Sequence, residues 1–323
     1  MITRRELLQY TAATAAVAAA GHATRAEAQA ADAPLFPGFK TAKIKTSGAT
    51  LNLVSGGKGS PVLLMHGYPE THVLWHMIAP KLAEKFSVVA ADLRGYGDSS
   101  KPEGGDKHVN YSKRAMALDM VEAMHQLGFE RFAVVGHDRG GRVAHRLALD
   151  HADKVTKVSF LDIVPTYEMF HHVDQAFATS NYHWFFLIQP PPLPETLIGN
   201  SAEFFLRSRF AGLIPQAVTP EAYAEYLRCF KDPATIHATC EDYRAGASID
   251  LDHDTADRAR KIACPVLALW AQGGNTGRMF DVIATWQARA AMKVTGKALR
   301  GRHFLPEEAP EQTLAELQMF LSA

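Results

Sequence analysis

Residues Phe132 to Arg142, F-A-V-V-G-H-D-R-G-G-R, constrain this chain more than any other stretch. A short apolar run from Phe132 to Val135 meets a glycine-flanked turn, and a helix-like segment follows. Gly136 and Gly140 bracket Asp138, so the chain turns sharply from strand to helix with a carboxylate at its apex. That carboxylate restricts the chemistry. Attack on an ester would give only an anhydride, whereas attack on an sp³ carbon gives an alkyl ester that water can cleave. The expected reaction is displacement at carbon, from a halide or an epoxide.

Arg139 and Arg142 stand at i and i+3, on one face of the first helical turn. This is the positive end of the helix dipole, where a cation is disfavoured by about 0.3–1 kcal/mol. Arginines placed there call for a compensating anion, and Asp138 must stay free to attack. A substrate carboxylate fits, because guanidinium binds carboxylate through paired hydrogen bonds. The plainer alternative pairs Arg142 with a structural acid or with solvent.

The chain of 323 residues is long enough for one large α/β domain with an insertion. Its 34 basic and 34 acidic residues cancel, which gives no support for a nucleic-acid partner. Cys229, Cys240 and Cys264 are scattered without metal-ligand spacing and read as small buried hydrophobes. Residues 1–30 read as an export leader instead of fold. Arg4-Arg5 precede a mild Ala-rich run, and Ala28-Gln29-Ala30 offers a small-residue cleavage site before Ala31. This pattern predicts a twin-arginine signal and a periplasmic mature protein, or a cytoplasmic one if the leader does not function. The apolar run is too short for a stable membrane span.

Two β-rich segments, Phe39 to Lys45 and Thr50 to Ser55, are joined at Ser47-Gly48 as a hairpin. Pro61 to Met65 reads as a buried parallel strand ending in His66-Gly67-Tyr68-Pro69. The backbone N–H of Tyr68 is the candidate for one half of an oxyanion hole. A helix is expected over Thr71 to Glu84, a strand over Ser87 to Ala91, and a structural turn at Asp92, Arg94 and Asp98. Tyr111 to Leu127 has helical periodicity, and Val155 to Leu161 is a further buried strand. From Thr166 to Ala256 the alternation stops, and the chain becomes helical, aromatic and Pro-interrupted. It resumes with a strand over Cys264 to Trp270, a helix near Phe280 to Ala291, a strand near Lys293 to Leu299 and a helix from Glu311. This order predicts an α/β-hydrolase fold: an eight-stranded, mostly parallel, doubly wound sheet with an inserted helical cap. The core is expected to span 31–165 and 257–323, and the cap 166–256.

In this fold the nucleophile is followed by an acid and then a histidine. His303, after the last strand, is the expected base. The loop after the seventh strand, Ala271 to Gly277, holds no carboxylate, so the orienting acid is Asp162 at the end of the sixth. An N-cap at the cap's entry is the competing role for Asp162.

These motifs, with H-G-Y-P, A-D-L-R-G-Y-G-D-S, G-H-D-R-G-G-R, L-D-I-V-P-T-Y, Y-H-W, D-Y-R-A-G and R-H-F, closely resemble the fluoroacetate (haloacetate) dehalogenases. The likeness covers nearly all of the chain after Phe36. It implies that Asp138 is the nucleophile and that Arg139 and Arg142 bind the substrate carboxylate. It implies a halide pocket of His183, Trp184 and Tyr243, and a homodimer. The leader is not expected of the family, and Arg302 replaces a more usual glycine before the base. Donors such as Trp N–H, Tyr O–H and His N–H suit a poor leaving group, whose charge must be stabilised as it develops.

The expected function is hydrolysis of haloacetates to glycolate and halide through an aspartyl ester, with backbone N–H groups of Tyr68 and Arg139 holding the ester oxygen and no metal or organic cofactor. Three alternatives remain. An epoxide hydrolase shares the nucleophile but wants two cap tyrosines, and Tyr182, Tyr223 and Tyr226 also lie in the cap. A haloalkane dehalogenase would leave both arginines without a partner. A non-catalytic periplasmic binder of small carboxylic acids would have no use for Asp138, Asp162 and His303 together.

Overall fold

The computed structural model describes residues 35–323. The twin arginines and the cleavage site at Ala28 to Ala30 lie outside the described residues. Eight strands form one sheet in the order β1-β2-β4-β3-β5-β6-β7-β8. They are β1 (Lys40–Lys45), β2 (Thr50–Gly56), β3 (Ser60–Met65), β4 (Phe86–Ala91), β5 (Phe132–His137), β6 (Val155–Leu161), β7 (Val266–Ala271) and β8 (Val294–Leu299). β2 is antiparallel to β1 and to β4, and every other pairing is parallel.

The central strands are continuous apolar runs because helices cover both faces, and β5 is buried along its whole length. Strand order brings the carboxyl ends of β3, β5, β6 and β8 to one rim of the sheet. The loops after those strands carry Tyr68, Asp138, Asp162 and His303.

The helix expected over Thr71 to Glu84 is replaced by a 3₁₀ turn, His72–Trp75, and a short helix, Ala79–Leu82. Pro80 has no N–H to donate and fits only in a first turn, so a new helix starts there. The helix near Phe280 is likewise divided, into Asn275–Met279 and Val282–Gln287. Asp281 separates them by capping the second helix, its side chain accepting from the Ala284 N–H. The turn after β4 is structural, as expected: Asp92 accepts from His72, Asn52 and the Asp98 N–H, and Arg94 pairs with Asp119.

Eight helices between Thr166 and Ala256 separate β6 from β7. They form a layer over the rim, tied down by buried polar contacts. The Lys113 N–H donates to Asp250 at 2.8 Å, and the Tyr96 hydroxyl donates to Asp242 at 2.6 Å.

Candidate active site

Asp138 sits at the apex of the turn between β5 and the helix Asp138–Asp150, with φ of 44°. A non-glycine residue in this left-handed region is strained, and the surrounding packing holds it there. Gly136 and Gly140 make the turn possible. A Cβ on Gly136 would lie 2.5 Å from the Gly140 carbonyl oxygen, and one on Gly140 would run into the Met65 and His66 carbonyls. The strain aims the Asp138 carboxylate across the rim, where the Tyr68 N–H donates to its Oδ1 at 2.9 Å.

His303 completes the line of groups. Its Nδ1 lies 2.6 Å from Asp162 Oδ2, and its Nε2 lies 4.0 Å from Asp138 Oδ2. The second distance exceeds a hydrogen bond and leaves room for a bridging water. Asp162 also has positive φ, at 51°, and its Oδ1 accepts from the Ala271 N–H. The acid is therefore held by the strand that follows it in the sheet, and it acts as the histidine's partner instead of a helix cap. Burial opposes a charge on His303, but the hydrogen bond to Asp162 and the charges of Asp162 and Asp138 push its pKa up to about 9. Burial would also raise the Asp138 pKa. The positive groups around it, led by His303 and including Arg142 and Arg139, instead hold it well below the usual carboxylate range.

Three features of the site were not read from the sequence. Glu308 anchors the base loop, accepting from the N–H groups of Arg302, His303 and Phe304 at 3.1, 2.9 and 2.8 Å. Arg302, the unusual neighbour of the base, reaches across to the Ala211 carbonyl of the cap. Asp242 is the third. Arg139 donates to its carboxylate from Nε and Nη2, both at 2.8 Å, and Lys113 and Tyr96 reach the same carboxylate.

The two arginines expected to bind the substrate carboxylate differ in their surroundings. Arg139 already has its anion, and only its Nη1 is not engaged by Asp242. Burial opposes the Arg139 charge, yet Asp242 raises its pKa well above the ordinary value. Arg142 differs. It donates from Nη1 to the Val164 carbonyl and the Thr166 hydroxyl, while its buried Nε has no partner among the described residues. Burial and the neighbouring Arg139 pull its pKa down to about 10, which leaves it charged at neutral pH.

Arg142 lines a cavity of about 150 Å³ together with Asp138, Tyr68, His183, Trp184 and His303. Tyr243 stands behind these rings, with centroids 5.3 Å from Tyr68, 5.9 Å from His183 and 5.8 Å from Trp184. The Arg142 guanidinium lies 4.5 Å from the Trp184 ring centroid and that of Arg139 lies 4.2 Å from the Tyr243 centroid. His183 is kept neutral, its pKa well below the ordinary value, by burial first and by the nearby Arg209 charge second.

Comparison with known proteins identifies the family. A family profile described as the alpha/beta hydrolase fold matches residues 60–310. The chain is 44% identical over 291 residues to a fluoroacetate dehalogenase of Burkholderia sp, spanning 89% of this chain and 95% of that protein. It is 34% identical to a soluble epoxide hydrolase of Corynebacterium sp. (strain C12), over 82% of this chain and 91% of that one. Among solved structures, an alpha/beta hydrolase of Nostoc sp PCC 7120 superposes with a TM-score of 0.86 at 58% identity, covering 88% of this chain and 98% of that one. The chain is a hydrolase that belongs to the α/β-hydrolase family, in the group that contains the Burkholderia fluoroacetate dehalogenase.

Proposed function

We propose that the protein hydrolyses haloacetates to glycolate and halide. One observation carries this reading. A buried carboxylate nucleophile, Asp138, and a buried arginine whose Nε has no partner among the described residues, Arg142, share one small cavity. The first selects reaction at an sp³ carbon, and the second selects a small anionic substrate.

Arg142 holds the substrate carboxylate, with Nη1 of Arg139 as the other available donor. Asp138 attacks the α-carbon, and the carbon–halogen electron pair leaves as halide toward His183, Trp184 and Tyr243. The product of this step is a glycolyl ester on Asp138. Ester formation also removes the negative charge that helped to keep His303 protonated, so the His303 pKa falls as the ester forms and its proton passes to solvent. Neutral His303 then takes a proton from water, and the hydroxide attacks the Asp138 carboxyl carbon. The N–H groups of Tyr68 and Arg139 stabilise the resulting oxyanion. Collapse expels the glycolate alkoxide, which takes the proton from His303, and the Asp138 carboxylic acid then gives its own proton to His303, restoring the carboxylate and imidazolium of the free enzyme.

Epoxide hydrolysis is the second reading, favoured by Tyr68. Its buried hydroxyl has no partner among the described residues, and its ring packs against Tyr243. Two such hydroxyls could protonate an epoxide oxygen. The His303→Ala variant tests the shared mechanism. After incubation with chloroacetate, the peptide containing Asp138 is expected to carry the added mass of a glycolyl ester. Full turnover without that adduct would remove His303 from its assigned role.

A further inference from the structure

Arg209 is not accounted for by the chemistry above. It closes the cap helix Ala202–Arg209, is half-buried, and lines the same cavity as Asp138 and Arg142. Its place in the last turn suits the helix dipole, but that does not require its seat against His183. Nη2 lies 3.1 Å from His183 Nδ1 and 3.4 Å from Nε2. Such near-equal distances put the guanidinium over the ring face instead of on one nitrogen's lone pair. Its Cζ is 5.7 Å from the Tyr182 ring centroid. No carboxylate lies within ion-pairing distance among the described residues, whereas Arg139 has Asp242 and the Arg302 Nε lies 3.6 Å from Glu308.

From this geometry we propose that Arg209 is the positioning cation of the halide site, recognising a small monovalent anion through and beside His183. The inference rests on the dehalogenase reading and extends it. His183, Trp184 and Tyr243 supply neutral donors to a departing halide, and the other cations against these rings are committed elsewhere, Arg139 to Asp242 and Arg142 to the substrate carboxylate. A guanidinium stacked on the outer face of His183 supplies the missing charge without occupying the donor positions. Its field already reaches the pocket: it opposes the pKa rise that burial imposes on the Tyr68 and Tyr243 hydroxyls. The benefit should be greatest for fluoride, the poorest leaving group, and smaller for chloride.

The test compares wild type, Arg209→Lys and Arg209→Met in the full chain. Chloride affinity is read by intrinsic tryptophan fluorescence in a sodium chloride titration, with ionic strength held constant by sodium sulfate. Turnover is read with fluoroacetate and chloroacetate. Arg209→Met is expected to weaken chloride binding about tenfold and to lower kcat for fluoroacetate at least tenfold. Its loss with chloroacetate should be less than threefold, its melting temperature unchanged, and Arg209→Lys should recover most of the activity. Equal loss with both halogens, or unchanged chloride affinity, would overturn the proposal. If wild type binds chloride in an Arg209-dependent way yet releases no halide from either acid, the halide site stands and the dehalogenase reading falls.

Discussion

Asp242 engages two nitrogens of Arg139, at 2.8 Å each, so a cap residue neutralises the first cation of the elbow helix. The same carboxylate receives Lys113 and the Tyr96 hydroxyl, and all four groups are buried. Asp242→Asn would leave two buried cations facing a neutral amide. The expected cost is about 3–5 kcal/mol of stability, measured by urea unfolding. An unchanged unfolding midpoint would show that the cluster does not hold the cap to the core.

Arg142 plays the complementary part, because its Nε faces no acceptor among the described residues. Arg142→Met should remove charge-assisted hydrogen bonds to the substrate carboxylate, about 1.5–3 kcal/mol. KM for haloacetates is expected to rise roughly tenfold to 100-fold. Steady-state kinetics would contradict this if KM stayed within twofold of wild type.

The histidine's protonation should follow the state of Asp138. In the free enzyme the pKa of His303 is about 9, so it is protonated at neutral pH. Asp138→Asn removes one of the negative charges that raise this value, as the ester does. NMR titration of the His303 ring should therefore give a lower pKa in Asp138→Asn than in wild type. An equal or higher value would remove the charge switch from the mechanism.

Glu308 holds three consecutive N–H groups of the base loop. Glu308→Ala should let His303 drift from its position near Asp138. Misplacement by about 1 Å can cost on the order of 100-fold in rate. The loss should appear in kcat for ester hydrolysis, with KM changed little. A rapid-quench measurement that found slower ester formation and normal hydrolysis would place the defect elsewhere.

Much of this site is legible from local pattern. The runs around Leu63 and Val134 are strands because they are apolar throughout and bounded by glycine or proline. Asp138, Asp162 and His303 follow the ends of β5, β6 and β8, and a parallel sheet gathers such ends on one rim. Contacts that depend on how the cap sits over that rim are not legible. Arg139 and Asp242 are 103 positions apart, and no local periodicity pairs them. Arg209 reads in sequence as a helix-end basic residue, and only cap packing sets it over His183. The helix expected from Thr71 failed for a local reason, since Pro80 outweighed the apolar spacing around it.

The central claim is that Asp138 displaces halide from a small anionic substrate, and halide release tests it most directly. Purified protein would be offered fluoroacetate, chloroacetate, a neutral haloalkane and a simple epoxide in parallel. The expected result is halide and glycolate from the two acids, with neither halide from the haloalkane nor diol from the epoxide. Diol from the epoxide without halide from either acid would contradict the claim and assign Asp138 to epoxide opening.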